Sequence, residues 1–477
     1  MTISMDILSK HECEKVHELS VQILEEVGVK VKSEKILAML ADKDVQIDWE
    51  NNIVKMNRGL IDWALKMCPK EVLIGARNPE FNVQFPSVDT VYTTDGCGPY
   101  AIDFETGVRR PAVTQDIINN LKVFERMDMG RIAWSPVLAT DMPVHSTEVR
   151  AYLMSFIHTS KHIQTGLDKA EETVYLKAAL REILGSDDEI RKRKICSMIY
   201  CPVAPLVHEA QMMEGYLELG DLDIPILVYP MPATGSTGPA SLYSNIALSN
   251  AEALSSIVIY QVAHPGRSLL YGSAIASLEF NTGAFLEGSA EMGLQSGACM
   301  NMAKYYNLPS VVAGCLTDAK QGGPQSVMEK FATTLPLVLS GADGINGIGL
   351  VESSMTQYLE QMVVDNELAQ ICKRIKDGVE VSDEKNLIED IKKIGPGGHF
   401  LKQKSTRKAP RSGEFLVPEL SDRNSYPAWK NLGEPDLYSN ARKNVEQILK
   451  EDPINPLPPQ TEKVIEEIME AADRELA

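Results

Sequence analysis

The sequence predicts an α/β protein, a (β/α)8 TIM barrel with an N-terminal α+β extension and a C-terminal helical tail. Between Ile195 and Glu352 one phrase recurs five times: a short charge-free apolar run, a break at Tyr, Pro, Gly or an acid, then a helix-like stretch. The runs are continuous rather than alternating, as expected of strands buried on both faces in a parallel sheet covered by helices. The 477 residues, 44% hydrophobic and 24% charged, supply enough core for a barrel of about 250 residues and leave roughly two hundred for additions.

From the N-terminus, Ser9 and Glu12 form a capping box, and Val16, Leu19, Ile23 and Leu24 then recur on one helical face until Gly28. A second helix starts at Ser33, and strand-like pieces follow over 45–56, 72–75 and 91–94. With a helix capped at Thr114 and running through Ile117, Leu121 and Phe124, residues 1–125 read as an N-terminal α+β extension. The barrel is assigned to 126–400. Its strands are two weaker runs, 131–134 and 162–166, and five strong ones, 195–200, 226–230, 268–272, 310–314 and 344–348. The eighth strand has no clear candidate. Beyond Arg374 come charged helix, a Gly395-Pro-Gly-Gly-His-Phe400 loop, a basic stretch, a Pro-rich run and a last charged helix. Residues 401–477 read as a tail packing on the barrel or on a neighbouring subunit.

A formal charge of −19, from 47 basic and 66 acidic residues, argues against nucleic acid, whose binding rests on phosphate neutralisation. The first ten residues lack the basic-then-apolar pattern of a signal peptide, and no charge-free apolar run approaches the ~18 residues of a membrane span. A cytoplasmic protein is expected. The eight cysteines contain no Cys-x-x-Cys, so neither a disulfide framework nor a metal site is indicated, and Cys196 and Cys201 read as reduced core thiols. His158 and His162 stand four apart, but no third ligand accompanies them.

In this fold the chemistry lies just past the strand carboxyl ends. Tyr92, Tyr200, Tyr229 and Tyr271 fall at or near such ends, with Asp95, Glu279, Glu291, Asp318 and Glu352 nearby. Tyrosine with carboxylate points to a cationic ligand. A quaternary ammonium donates no N–H, so aromatic faces, carboxylate charge and shape must hold it. Each tyrosine has a plainer reading as a wall residue with one hydroxyl partner, and Glu279 and Glu291 as cap or solvent residues. Lys320, after the 310–314 run, and Lys161 are Schiff-base candidates if burial depresses their pKa, although Lys320 is equally suited to pairing with Asp318. His399, in its Gly-rich loop, has the backbone freedom to reach the mouth.

Ordered motifs add to this reading: Pro230-Met-Pro-Ala-Thr-Gly-Ser-Thr237 onward to Pro239, Asn250-Ala-Glu252, Tyr271-Gly-Ser273, Thr282-Gly283, Thr317-Asp-Ala-Lys320, Glu352-Ser353, the 395–401 loop, Asp422-Arg423 and Trp429. On these the chain resembles the trimethylamine methyltransferase superfamily of corrinoid-dependent methyltransferases. It departs from the family pattern at Gly323, where many relatives have an acid, and at Ser405, where a His precedes the Thr. Members that demethylate trimethylamine carry pyrrolysine, whereas all 477 residues here are standard, which is similar to the non-pyrrolysine branch. The resemblance implies methyl transfer from a quaternary amine (glycine betaine, proline betaine, carnitine or γ-butyrobetaine) to a Co(I) corrinoid on a separate partner protein. It implies no permanently bound cofactor, and a homo-oligomer. The substrate-binding candidates are Tyr92, Asp95, Tyr229, Tyr271, Glu279, Glu291, Asp318, Lys320, Gln325, Asn346, Glu352 and His399. Of these, His399, Asn346, Gln325 and Lys320 are suited to a betaine carboxylate. A Schiff-base lyase and a non-catalytic betaine-binding protein are the alternatives.

Overall fold

Eight parallel strands close into a barrel in the computed structural model, which describes residues 3–96, 98–135 and 137–477. They are β1 (Val91–Thr94), β2 (Gly130–Trp134), β3 (His162–Thr165), β4 (Cys196–Tyr200), β5 (Ile226–Val228), β6 (Leu269–Ser273), β7 (Ser310–Ala313) and β8 (Gly344–Ile348). All seven strands expected from the sequence are present. The eighth is β1, which pairs with β8 on one side and β2 on the other, so the barrel begins inside the segment read as the N-terminal extension. Its identity was hidden because β1 is half polar: inward-facing Thr93 accepts a hydrogen bond from Asn346 Nδ2 at 2.9 Å, where an apolar residue would be looked for.

Helix α1 (Lys10–Gln22) belongs to the N-terminal lobe, and its capping box at Ser9 and Glu12 is formed. Around the barrel run α2 (Thr114–Glu125), α3 (Thr147–His158), α4 (Thr173–Leu184), α5 (Ala210–Glu218), α6 (Leu242–Ala263), α7 (Ala290–Tyr305), α8 (Pro324–Leu339) and α9 (Leu359–Asp377), one after each strand in turn. Asp116, not Thr114, caps α2, taking the Val113 N–H at 2.8 Å. Helix α6 is long and apolar enough to cross a membrane by length and composition, yet 89% of its apolar window is buried within this fold, where α1 packs along it. The tail supplies α10 (Leu437–Lys450), against α9 and α2, and α11 (Pro459–Glu475), against α3 and α4. Ion pairs fasten it: Arg150 with Asp473, Arg126 with Glu451 at 2.6 Å and Arg442 with Glu360 at 3.0 Å.

A hairpin of the N-terminal lobe, Val72–Ile74 paired with Val83–Phe85, plugs the amino end of the barrel. Val72, Ile74 and Phe85 join Ile132, Ile199, Leu227, Leu270 and Val311 in one buried cluster, the barrel interior. His162 closes this end. Burial lowers its pKa to about 4, so the neutral ring donates Nδ1–H to the Gly75 carbonyl at 2.7 Å and accepts from Ser197 Oγ at 2.8 Å. Lys161 beside it donates to the Phe124 and Met127 carbonyls, both at 2.7 Å, and burial pulls it down to about 7. His162 starts β3 and Lys161 immediately precedes it, at the end of the barrel opposite the mouth. Lys161 therefore has the perturbed pKa of a Schiff-base lysine in the wrong place, and His162 is no metal ligand with His158. Among the described residues no group of three His, Cys, Asp or Glu side chains is arranged to hold a metal.

Candidate functional site at the barrel mouth

Strand parity sorts the tyrosines. Alternate residues point inward and outward, and in β6 Leu270 is inward, which turns Tyr271 out. Its hydroxyl donates to Asn250 Oδ1 at 2.9 Å, and Asn250 Nδ2 donates to Tyr306 Oη at 2.8 Å and Ser20 Oγ at 2.9 Å, a knot joining β6, α6, α7 and α1. Tyr200 likewise faces His208 Nδ1 at 2.8 Å behind the wall, and Tyr92 is buried among the outer helices near Cys372, Cys315 and Asp365. These three are corrections to the expected cage: their rings bond the barrel wall to the helices. Tyr271→Phe is expected to cost about 1–2 kcal/mol of stability through the unpaired Asn250, read as a lower Tm, with KM unchanged.

Tyr229 is the inward one. It follows β5 and lies across the interior, its hydroxyl donating to Asn346 Oδ1 on β8 at 3.2 Å. Asn346 Nδ2 also reaches the Thr94 carbonyl at 2.8 Å, so this bridge ends at the residue before Asp95. Gly272 makes room for the ring: a Cβ there would sit 2.6 Å from the Val311 carbonyl oxygen and 2.7 Å from Tyr229 Cδ2. Gly272→Ala is accordingly expected to lose about 1–3 kcal/mol by overpacking, measured by denaturant unfolding. Above this floor stand Trp134, Cys201, Met231 and Ala274, partly exposed and packed on the interior cluster. The Trp134 indole lies against Gly96, whose added Cβ would fall 1.9 Å from Cε2.

Two buried acids belong to the segments that follow the strands at this end. Asp95 follows β1, and Glu287 lies in the loop after β6; each is 8% exposed. Burial, then the negative charge of Asp95, raises the Glu287 carboxyl to about 8; Asp318 adds to the rise, while Ser354 and Lys330 oppose it. Ser354 Oγ bonds Glu287 Oε2 at 2.6 Å. Holding Ser354 there takes unusual backbone: Glu352, Ser353 and Ser354 are all left-handed, with φ of 59°, 51° and 61°. For residues with a Cβ this costs about 1–2 kcal/mol each, strain of the kind that collects at functional sites.

The remaining candidates divide. Asp318 knits loops, accepting from Glu287 N at 2.8 Å, Gly288 N at 3.0 Å and Ser353 Oγ at 2.8 Å. Glu352 pairs with Arg109 at 2.7 Å. Lys320 is exposed and donates to the Asp318 carbonyl at 2.8 Å, without the burial a Schiff-base lysine needs. Gln325 is exposed and bonds Glu329 at 2.8 Å; Glu279 sits at a hairpin tip on Asn281; Glu291 is exposed in the first turn of α7. His399 is exposed on the tail and makes no hydrogen bond among the described residues. The mouth thus gathers Asp95, Tyr229 and Asn346 from the expected set and adds Trp134 and Glu287. Glu287 was passed over between Glu279 and Glu291, although the Gly288-Ser289 cap signal already placed Glu291 on the first helical turn and Glu287 in the loop before it.

Beneath the mouth, Lys330 and Asp365 form an ion pair at 2.8 Å with both side chains fully buried. Lys330 also donates to the Cys315 carbonyl at 2.7 Å and the Gly347 carbonyl at 3.2 Å, the carboxyl ends of β7 and β8, while Asp365 accepts from Gly349 N at 2.8 Å and Gln361 at 2.7 Å. Burial pulls the ammonium down, but Asp365 outweighs it and holds Lys330 above its ordinary value.

The family model for trimethylamine methyltransferase (MTTB) matches residues 2–477. The chain belongs to the trimethylamine methyltransferase family. A trimethylamine methyltransferase, MttB, of Methanosarcina barkeri (strain Fusaro / DSM 804) is 30% identical over 477 residues, covering 99% of this chain and 96% of the relative. A glycine betaine methyltransferase of Desulfitobacterium hafniense (strain Y51) is 28% identical over 429 residues, covering 89% and 88%. Among solved structures, the Methanosarcina barkeri monomethylamine methyltransferase (MtmB) matches with a TM-score of 0.50 at 14% identity over 91% of this chain and 87% of that one, a likeness of fold. This methyltransferase-family barrel therefore carries its acids and aromatics on the face where such barrels do their chemistry.

Proposed function

We propose that the protein transfers a methyl group from a quaternary amine, glycine betaine or a related betaine, to the Co(I) corrinoid of a partner protein, working in the cytoplasm as a homo-oligomer. The observation that carries this is Glu287: a buried carboxyl beside Asp95 at the mouth, with which no cationic side chain pairs among the described residues. A buried carboxylate needs a counter-charge, so a cation entering the mouth would favour the ionised form of Glu287. Trp134 supplies an aromatic face suited to an N-methylated head, and Tyr229 with Asn346 a firm floor. The similarity to a glycine betaine methyltransferase and the all-standard sequence favour a quaternary substrate over trimethylamine.

The corrinoid, arriving on its own protein, supplies the nucleophile that accepts the methyl group. The uncharged rim of Trp134, Cys201, Met231 and Ala274 fits such an approach, because it leaves a methyl group facing apolar side chains. This chain's residues bind and orient. Positive charge on nitrogen falls as the methyl departs, so Asp95, Glu287 and Trp134 grip the ground state more tightly than the transition state and set KM. Rate then depends on alignment and exclusion of water, where a held geometry contributes about 7–11 kcal/mol. The amine leaves neutral, and no general acid is required.

Reduced corrinoid protein mixed with the enzyme and a panel of quaternary amines tests this by the loss of Co(I) absorbance. Loss with a betaine and none with trimethylamine is expected. Loss with trimethylamine alone, or with no amine, contradicts the reading.

A further inference from the structure

We infer that Gln164 is a further substrate-contacting residue, turning its side-chain carbonyl oxygen to the N-methyl head, and that a hydrogen-bond chain from the amino end of the barrel fixes which end of its amide faces the substrate. This rests on the reading of the mouth as a quaternary-amine site. Alternation along β3 sets the direction. Ile163 packs with the outer helices, so Gln164 points into the barrel, and its ladder partners are Trp134 on one side and Ser197 on the other. It stands one pleat above His162, level with the indole that rims the mouth. The side chain is fully buried, yet Oε1 has no hydrogen-bond partner among the described residues. Buried acceptors are almost always paired, so an unpaired one beside Trp134 calls for a positively polarised group.

The polarity of the chain decides the amide orientation. The Gly75 carbonyl can only accept, so the neutral His162 ring gives it Nδ1–H at 2.7 Å and keeps Nε2 as an acceptor. Ser197 Oγ donates its one proton there, at 2.8 Å, and can then only accept. Gln164 must meet it with Nε2, at 3.4 Å, which leaves Oε1 as the free end. A backbone carbonyl of the plugging hairpin thus sets, three hydrogen bonds away, the sign of the dipole presented to the interior. An oxygen suits a quaternary ammonium, whose positive charge is spread over methyl hydrogens. The reversed amide would set N–H against those methyl groups and repel them. His162 and Ser197 are accordingly positioning residues that act through Gln164.

Glycine betaine and tert-butylacetate, its isostere with carbon in place of the quaternary nitrogen, are titrated calorimetrically into the full-length protein with no corrinoid protein present. Gln164→Met keeps the length of the side chain and removes the dipole, whereas Ser197→Ala frees the amide to turn. Gln164→Met should weaken glycine betaine about tenfold, the size of a hydrogen bond to a charged group, and change the isostere by less than about twofold. Ser197→Ala should weaken the betaine about three- to tenfold, again sparing the isostere, and the double variant should bind no worse than Gln164→Met alone, because Ser197 acts only through the amide. In the Co(I) assay KM should rise with Kd while kcat stays within about threefold. Equal weakening of both ligands, or of neither, overturns the role of Gln164 while leaving the proposed function standing. Additive losses in the double variant do the same without reference to the isostere. Should Gln164→Met not fold, Ser197→Ala decides, and an unchanged betaine affinity there overturns the inference. A wild-type protein that binds no glycine betaine sinks the proposed function and this inference with it.

Discussion

Lys330→Met should destabilise the protein by about 3–5 kcal/mol, because it leaves Asp365 charged and buried with its counter-ion gone. For a chain of 477 residues this corresponds to a fall in Tm of about 3–5 °C, given roughly 2 cal/mol/K of unfolding entropy per residue. The damage should also reach the mouth, since the Cys315 and Gly347 carbonyls lose the donor that ties the ends of β7 and β8 together. The paired replacement Lys330→Met with Asp365→Leu separates the two effects. Removing both charges should restore most of the stability, because an apolar pair of similar volume needs no desolvation. Activity should stay low, because the carbonyls remain unpaired. Scanning calorimetry and the Co(I) assay on the single and double variants check this.

The second large effect is kinetic. Trp134→Leu keeps an apolar side chain at the rim but removes the π face, and a desolvated cation–π contact is worth about 2 kcal/mol or more. KM for the betaine should rise about 30-fold while kcat stays within about threefold, because the lost contact acts on the ground state and transition state in proportion to the charge each carries. Equal losses in kcat and kcat/KM would place Trp134 in transition-state alignment instead. Tyr271→Phe, outside the wall, should leave KM alone, so the two aromatics distinguish mouth from scaffold.

The sequence made the barrel legible because continuous apolar runs report burial on both faces, which is what a parallel strand inside a ring of helices experiences. The same continuity hides which residues point in. Tyr229 and Tyr271 look alike in their runs, yet one crosses the interior to Asn346 and the other bonds Asn250 among the helices. Only register separates them, and register is set by neighbouring strands. Val91–Thr94 is legible as a strand but is assigned to the N-terminal lobe for the converse reason: its inward threonine serves a polar bridge, so it lacks the apolar signature of the other barrel strands. Acids were harder still. Glu279, Glu287 and Glu291 occupy one loop and the helix after it, and what distinguishes Glu287 is burial against Asp95, contributed by a strand nearly two hundred residues away in sequence. His399 looked mobile enough to reach the mouth, but the tail that carries it ends in helices fastened to the outside of the barrel.

The most direct test is a crystal structure of the protein with glycine betaine. The expected result is a trimethylammonium head in the barrel mouth, within about 6 Å of the Trp134 ring and beside the Glu287 carboxylate, above the Tyr229–Asn346 floor. Ligand density on the outer wall, for example in the groove where Tyr243 and Tyr305 border α1, with the mouth unchanged, would contradict the account.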